Sequence, residues 1–204
     1  MAQLLESLAE RFGEGIALAD ERGSTSWSEF NARVNRLMSA LQSAGLQNDD
    51  TIAILSENRR EYYEGMVAAT HLGLRYVPVN WHWVADEVSY VLENSDSKAI
   101  VAGGNFAELA AEAIARPDCP ALKLALAMRD NPPTGFRAYE EVLAENSPDD
   151  VPATGLGGPM FYTSGTTGRP KGVVSGAFGG NDKPIELMNF VGQAIVGSLG
   201  MPDA

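Results

Sequence analysis

A chain of 204 residues is long enough for one sizeable core or two small lobes. Its 45% hydrophobic and 21% charged residues are ordinary for a globular protein and set disorder aside, while a net charge of −12 argues against long-range attraction to nucleic acid or an anionic membrane. One cysteine, Cys119, excludes an internal disulfide and suits a reducing cytoplasm; no basic-then-apolar start marks a signal peptide, and no apolar run reaches membrane-spanning length.

Met1 to Phe12 reads as a short amphipathic helix with Leu4, Leu5, Leu8 and Phe12 on one side. Two short strands, Ile16 to Ala19 and Ser24 to Ser26, flank the turn at residues 20–23. Ser26-Trp27-Ser28-Glu29 is a capping-box pattern, and the helix it opens carries Phe30, Val34, Leu37, Met38 and Leu41 until Gly45 stops it. That stripe is core. From Thr51 the pattern alternates strand and helix. Strands are expected over Thr51 to Leu55, Tyr76 to Val79, Lys98 to Val101 and Leu122 to Met128. Between them fall helices from Asn58, as cap, to about Leu72, from Val84 to Leu92, and from Phe106 to Ala115. Repeated β-α-β order with short connections predicts an α/β fold, a mostly parallel sheet flanked by helices. Tyr139 to Ala144 reads as one further helix, and Glu145 to Gly158 as a long loop.

The chain is organised around Tyr162 to Gly172, YTSGTTGRPKG. An apolar run, Pro159 to Tyr162, enters this stretch, and Val173-Val174 leaves it, so a strand, a hydroxyl-rich loop and a second strand are expected. Such a loop suits a polyphosphate. Gly165, Gly168 and Gly172 allow successive N–H groups to converge on one anion. Thr163, Ser164, Thr166 and Thr167 add rotatable donors, Lys171 and Arg169 add charge, and Pro170 limits flexibility before the lysine. The spacing is not that of a P-loop NTPase, because Pro170 stands where a Gly-Lys pair would be needed. A mobile linker would need neither flanking apolar strands nor two cations.

The segment YTSGTTGRPKGV resembles the phosphate-loop signature of the adenylate-forming superfamily: acyl-CoA synthetases, luciferase-like enzymes and the adenylation domains of peptide synthetases. Residues 49 to 101 are similar, more weakly, to the N-terminal region of an acyl-CoA synthetase, above all in Tyr76-Val77-Pro78-Val79-Asn80 followed by Asp86-Glu87-Val88. What the resemblance implies is a two-step reaction. A carboxylate attacks the α-phosphorus of ATP to give an acyl-adenylate and pyrophosphate, and a thiol, usually of coenzyme A, then takes the acyl group. Thr163, Ser164, Gly165, Thr166, Thr167 and Lys171 would hold the ATP phosphates with Mg²⁺, and Gly168 would shape the turn. Thr166 and Thr167 come first for direct contact, and Arg169 ranks lower because relatives vary there. Where many acyl-CoA synthetases carry a His-containing segment, this chain has Ser175-Gly176.

Relatives place their adenine, ribose and metal motifs, and a lid lysine, downstream of this loop. The expectation is therefore an N-terminal portion in three parts: residues 1–48, a βα lobe at 49–145, and the phosphate-loop strands with a following helix at 146–204. That last helix, starting near Asp182 and Pro184 with Ile185, Met188, Val191 and Ile195 on one face, would be left uncovered and prone to self-association. Such a chain alone would turn over little, and a stand-alone phosphate-binding module or a decayed reading frame are the rival readings.

Other candidates are weaker. His71 and His82 are eleven residues apart with no cysteine or acidic cluster at ligand spacing, so no metal site is expected. His71 belongs on a helix flank; His82, between Trp81 and Trp83, is more simply structural than part of a coenzyme groove. The acidic pairs Asp49-Asp50, Asp86-Glu87 and Asp149-Asp150 fit turns and helix starts. Gly103-Gly104 and Gly155 to Gly158 fail the dinucleotide spacing.

Overall fold

The structure is a computed structural model that describes residues 4–163 and 169–174. The helix expected from Asp182 lies outside the described residues. Among the described residues, seven strands form one sheet in the order β7-β6-β5-β3-β4-β8-β9, all pairs parallel except the antiparallel β8 and β9. They are β3 (Thr51–Leu55), β4 (Arg75–Pro78), β5 (Ser97–Gly103), β6 (Leu124–Met128), β7 (Arg137–Ala138), β8 (Gly158–Thr163) and β9 (Lys171–Val174). A separate hairpin, β1 (Ile16–Asp20) with β2 (Gly23–Ser26), follows helix α1 (Leu4–Phe12).

Alternation within the strands assigns each side chain to one of two cores. Ile52 and Ile54 of β3, Ala99 and Val101 of β5 and Leu126 of β6 enter a cluster with Val34, Leu37, Leu41, Ala68 and Val142. These last come from α2 (Trp27–Ser43), α3 (Arg60–His71) and α6 (Tyr139–Ala144). Ala53, Leu55, Val77, Ile100 and Ala127 point the other way, onto Val88, Val91, Ala107 and Ala110. Those residues belong to α4 (Ala85–Asn94) and α5 (Ala107–Ile114). Helices on both faces are why β3 and β5 are apolar at nearly every position rather than alternating with polar residues.

The helix ends follow local chemistry. Ser26 holds extended backbone, and its Oγ accepts from the Glu29 N–H at 3.2 Å, one arm of the expected capping box. At the far end of α2, Gly45 (φ +80°) turns the chain so that its own N–H donates to Gln42 O and that of Leu46 to Leu41 O. This Schellman closure recurs after α3 at Gly73 (φ +65°) and Leu74, which donates to Ala69 O at 2.9 Å. In both places Gly-Leu supplies the left-handed turn and then a buried apolar contact.

Some expectations are corrected. Asn58 does not cap α3: the helix starts two residues later, Arg59 occupies the cap position in extended backbone, and no side chain caps it. The Arg59 guanidinium closes onto Glu61 instead, with two bonds of 2.7 Å. Before α4, Val84 has no acceptor to offer, so the Glu87 carboxylate accepts from the Val84 N–H at 3.0 Å and does the capping alone. His71 is not on a flank; it is buried at the last position of α3. Finally, β7 was not expected at all, since two residues carry no readable period.

A buried charge network joins three helices. Glu64, fully buried, accepts from Arg33 at 2.6 and 3.2 Å and from the Tyr139 hydroxyl at 2.7 Å. Arg33 also donates to both oxygens of Glu140, at 2.9 and 2.6 Å. Burial alone would lower the Arg33 pKa; hydrogen bonds to Glu140 and Glu64 outweigh it and hold the guanidinium charged.

Candidate phosphate-binding site

β8 runs parallel to β4, so Thr163 lies at the carboxyl edge of the sheet, where ligands of open α/β sheets bind. β9 returns antiparallel, with Thr163 opposite Lys171, Tyr162 opposite Gly172 and Phe161 opposite Val173. Opposed residues share a face. Thr163 and Lys171 are both exposed, as are Phe161 and Val173 behind them. The two described ends of the expected phosphate loop thus present a hydroxyl and an ammonium side by side to solvent. Ser164, Gly165, Thr166, Thr167 and Gly168 lie outside the described residues.

The other face of the hairpin is packed. Met160 and Tyr162 lie against the α4–α5 core. A Cβ on Gly172 would run into the Met160 side chain and the Tyr162 ring, 3.1 Å from its Cζ, so this glycine is required by packing.

Two supports hold the hairpin. At its base, residues 154–158 bond to carbonyls at the end of α3: Thr154 N–H donates to His71 O at 3.0 Å and Gly157 N–H to Thr70 O at 2.8 Å. Gly158 N–H then donates to Leu74 O at 3.2 Å, and β8 pairs with β4 only at Arg75–Gly158 and Tyr76–Pro159. Past that point, α4 supports it. The Tyr162 hydroxyl donates to Asn94 Oδ1 at 2.8 Å, the Tyr90 hydroxyl donates to Pro170 O at 3.1 Å, and the Arg169 guanidinium sits 5.0 Å from the Tyr90 ring centroid. Burial, with Tyr90 close by, pushes the Tyr162 phenol up to about 12, so it remains a donor at neutral pH. Nothing in the sequence pointed to Tyr90 or Asn94, although their spacing of four puts them on one face of a helix.

The remaining candidates are structural. Asp49 pairs with Arg75 and Asp50 with Lys123, each at 3.0 Å, while Asp86 pairs with Arg116 at 2.9 Å. Asp150 accepts from Asn35 at 2.9 Å. His82 stacks on Trp81 with centroids 3.6 Å apart, and Trp81 meets Phe106. Cys119 packs beside the α4–α5 core as a free thiol that burial pushes up, away from thiolate chemistry. An open cleft of about 430 Å³ is lined by Asp20, paired with Arg60, Arg59, paired with Glu61, and Glu57, bonded to Asn105, beside Glu21 and Arg22. Among the described residues, no three His, Cys, Asp or Glu side chains converge to hold a metal. No helix there is long and apolar enough to cross a membrane.

Residues 5–177 match the family of AMP-binding enzymes. The chain is 30% identical over 183 residues to the 3-oxocholest-4-en-26-oate–CoA ligase of Rhodococcus rhodochrous, covering 85% of this chain and 32% of that protein. It is 29% identical over 216 residues to tyrocidine synthase 3 of Brevibacillus parabrevis, covering 98% of this chain and 3% of that protein. The N-terminal domain of FACL13 from Mycobacterium tuberculosis superposes with a TM-score of 0.71 at 28% identity, over 86% of this chain and 44% of that one. The chain therefore spans 32% of the length of the ligase and far less of the synthase. A match from residue 5 to residue 177, with the hairpin inside it and the same fold around it, shows that this chain belongs to the AMP-binding enzyme family.

Proposed function

We propose that this chain is the phosphate-binding portion of an AMP-forming acid–thiol ligase. The observation that carries the reading is the exposed Thr163–Lys171 pair where the sheet ends, within a family match that spans it. In the first step a carboxylate oxygen bonds to the α-phosphorus of ATP, the bond to the pyrophosphate oxygen breaks, and an acyl-adenylate is left. Charge accumulates on the departing phosphates. The Lys171 ammonium and Thr163 hydroxyl, with Ser164, Thr166, Thr167 and the amides of Gly165 and Gly168, would stabilise it. Magnesium would arrive with the nucleotide and neutralise further phosphate charge. In the second step the thiol sulfur takes the acyl group and AMP leaves.

Coenzyme A is the favoured thiol, given the likeness to a CoA ligase; fatty-acid metabolism in the cytoplasm is the setting proposed from the resemblance to acyl-CoA synthetases and the single cysteine. The match to tyrocidine synthase 3 favours a second reading, in which the acceptor is the thiol of a carrier protein. Pyrophosphate exchange into ATP over a panel of carboxylic acids, run beside an ATP titration on residues 1–204, tests the proposal. ATP should bind with little exchange. Robust exchange would overturn the role as a portion of the ligase, and absence of ATP binding would overturn the phosphate site itself.

A further inference from the structure

We propose that Tyr90 and Asn94 of α4 are positioning residues that hold the two strands of the β8–β9 hairpin in register for phosphate; this rests on the ATP reading above. Beyond the packing of Met160 and Tyr162 on the α4–α5 core, the hairpin has little support from the sheet at this height. β8 leaves β4 after two paired residues, and among the described residues β9 pairs with β8 alone. A two-stranded ribbon of four to six residues per strand is marginal on its own.

α4 supplies what the sheet does not. Tyr90 and Asn94 are one helical turn apart and reach different strands: Asn94 accepts from Tyr162 on β8 at 2.8 Å, and Tyr90 donates to Pro170 O at the entry to β9 at 3.1 Å. Pro170 has no N–H and cannot add a ladder bond there, so its carbonyl is the group left for an outside donor to hold. The ring of Tyr90 has a second use, because the Arg169 guanidinium lies 5.0 Å from its centroid. Arg169 is thereby turned toward α4 as part of the anchor, which removes it from the phosphate-binding set, while the adjacent Thr163–Lys171 pair stays exposed. The core beneath is independent of this contact: Val88, Val91 and Leu92 of α4 are fully buried. Losing the Tyr90 hydroxyl therefore need not disturb the fold.

The test uses Tyr90→Phe, Tyr90→Ala and Asn94→Leu in the full chain, read by amide hydrogen exchange and by ATP titration. Tyr90→Phe keeps the ring and removes one hydrogen bond, for which the expected effect is about fivefold faster exchange in residues 160–174. Tyr90→Ala removes the cation–π contact too and should loosen the hairpin by a further factor of about three. Amides of β3 and β5 should be unchanged in all three variants. ATP affinity should fall in the same order, with Tyr90→Phe recovering the smaller, ring-dependent share of what Tyr90→Ala loses. Unchanged hairpin exchange in Tyr90→Ala would overturn the anchor. Faster exchange with undiminished ATP affinity would overturn its positioning role. Failure of the unaltered chain to bind ATP would instead remove the reading on which that role rests, leaving exchange to judge the anchor separately.

Discussion

Gly157 occupies a place where the backbone leading into β8 crosses the end of α3. A Cβ there would collide with the carbonyl oxygens of Leu74 and Ala69, which are backbone atoms with no rotamer to yield. Gly157→Ala should cost on the order of 1–3 kcal/mol in a urea melt, and a variant as stable as the parent would show that the crossing is looser than described. The glycine run at 155–158 was visible in the sequence, but its reason was not: spacing excluded a dinucleotide loop without revealing a close crossing. Ser26 was legible because capping is decided within three residues. Glu64 was not, because its partners are Arg33 and Tyr139, 31 and 75 residues away. Arg33→Met would strand that buried carboxylate, with an expected loss of about 3–5 kcal/mol. Pairing it with Glu64→Leu should restore much of the loss; no restoration would contradict the coupling.

Among the elements, strands and helices were readable because each buries one periodic face, as in the Phe30, Val34, Leu37 and Leu41 stripe of α2. Strand order was not, since neither β8 beside β4 nor the antiparallel β9 leaves a local mark. The end of α3 shows what that hid: it carries the contacts that seat residues 154–158, with His71 buried beside them. Burial depresses the His71 pKa from its ordinary 6.5 to about 4. Below pH 6.5 the unfolded chain binds a proton that the folded chain refuses until about pH 4, so this contribution to stability is full above 6.5 and is lost as pH falls between those values. The loss approaches ~3 kcal/mol. His71→Gln should flatten the stability profile over this window; parallel profiles for parent and variant would contradict a neutral, buried imidazole.

At the scale of the molecule, a sheet covered on both faces puts every parallel strand end on one side, where one face of the hairpin is exposed and the other rests on α4. The family signature points to the proposed site over eleven residues, but not to the scaffold beneath the hairpin, which comes from α3 and α4 and was unmarked by any motif. A net charge of −12 is compatible with gripping a polyphosphate because Lys171 acts within a screening length of about 10 Å. Calorimetric titration of ATP and AMP into the chain and into Lys171→Ala, at fixed magnesium, tests the phosphate grip most directly. ATP should bind the parent more tightly than AMP does, and the variant should lose about tenfold for ATP with little change for AMP. Equal losses for both nucleotides, or none for ATP, would place the triphosphate elsewhere.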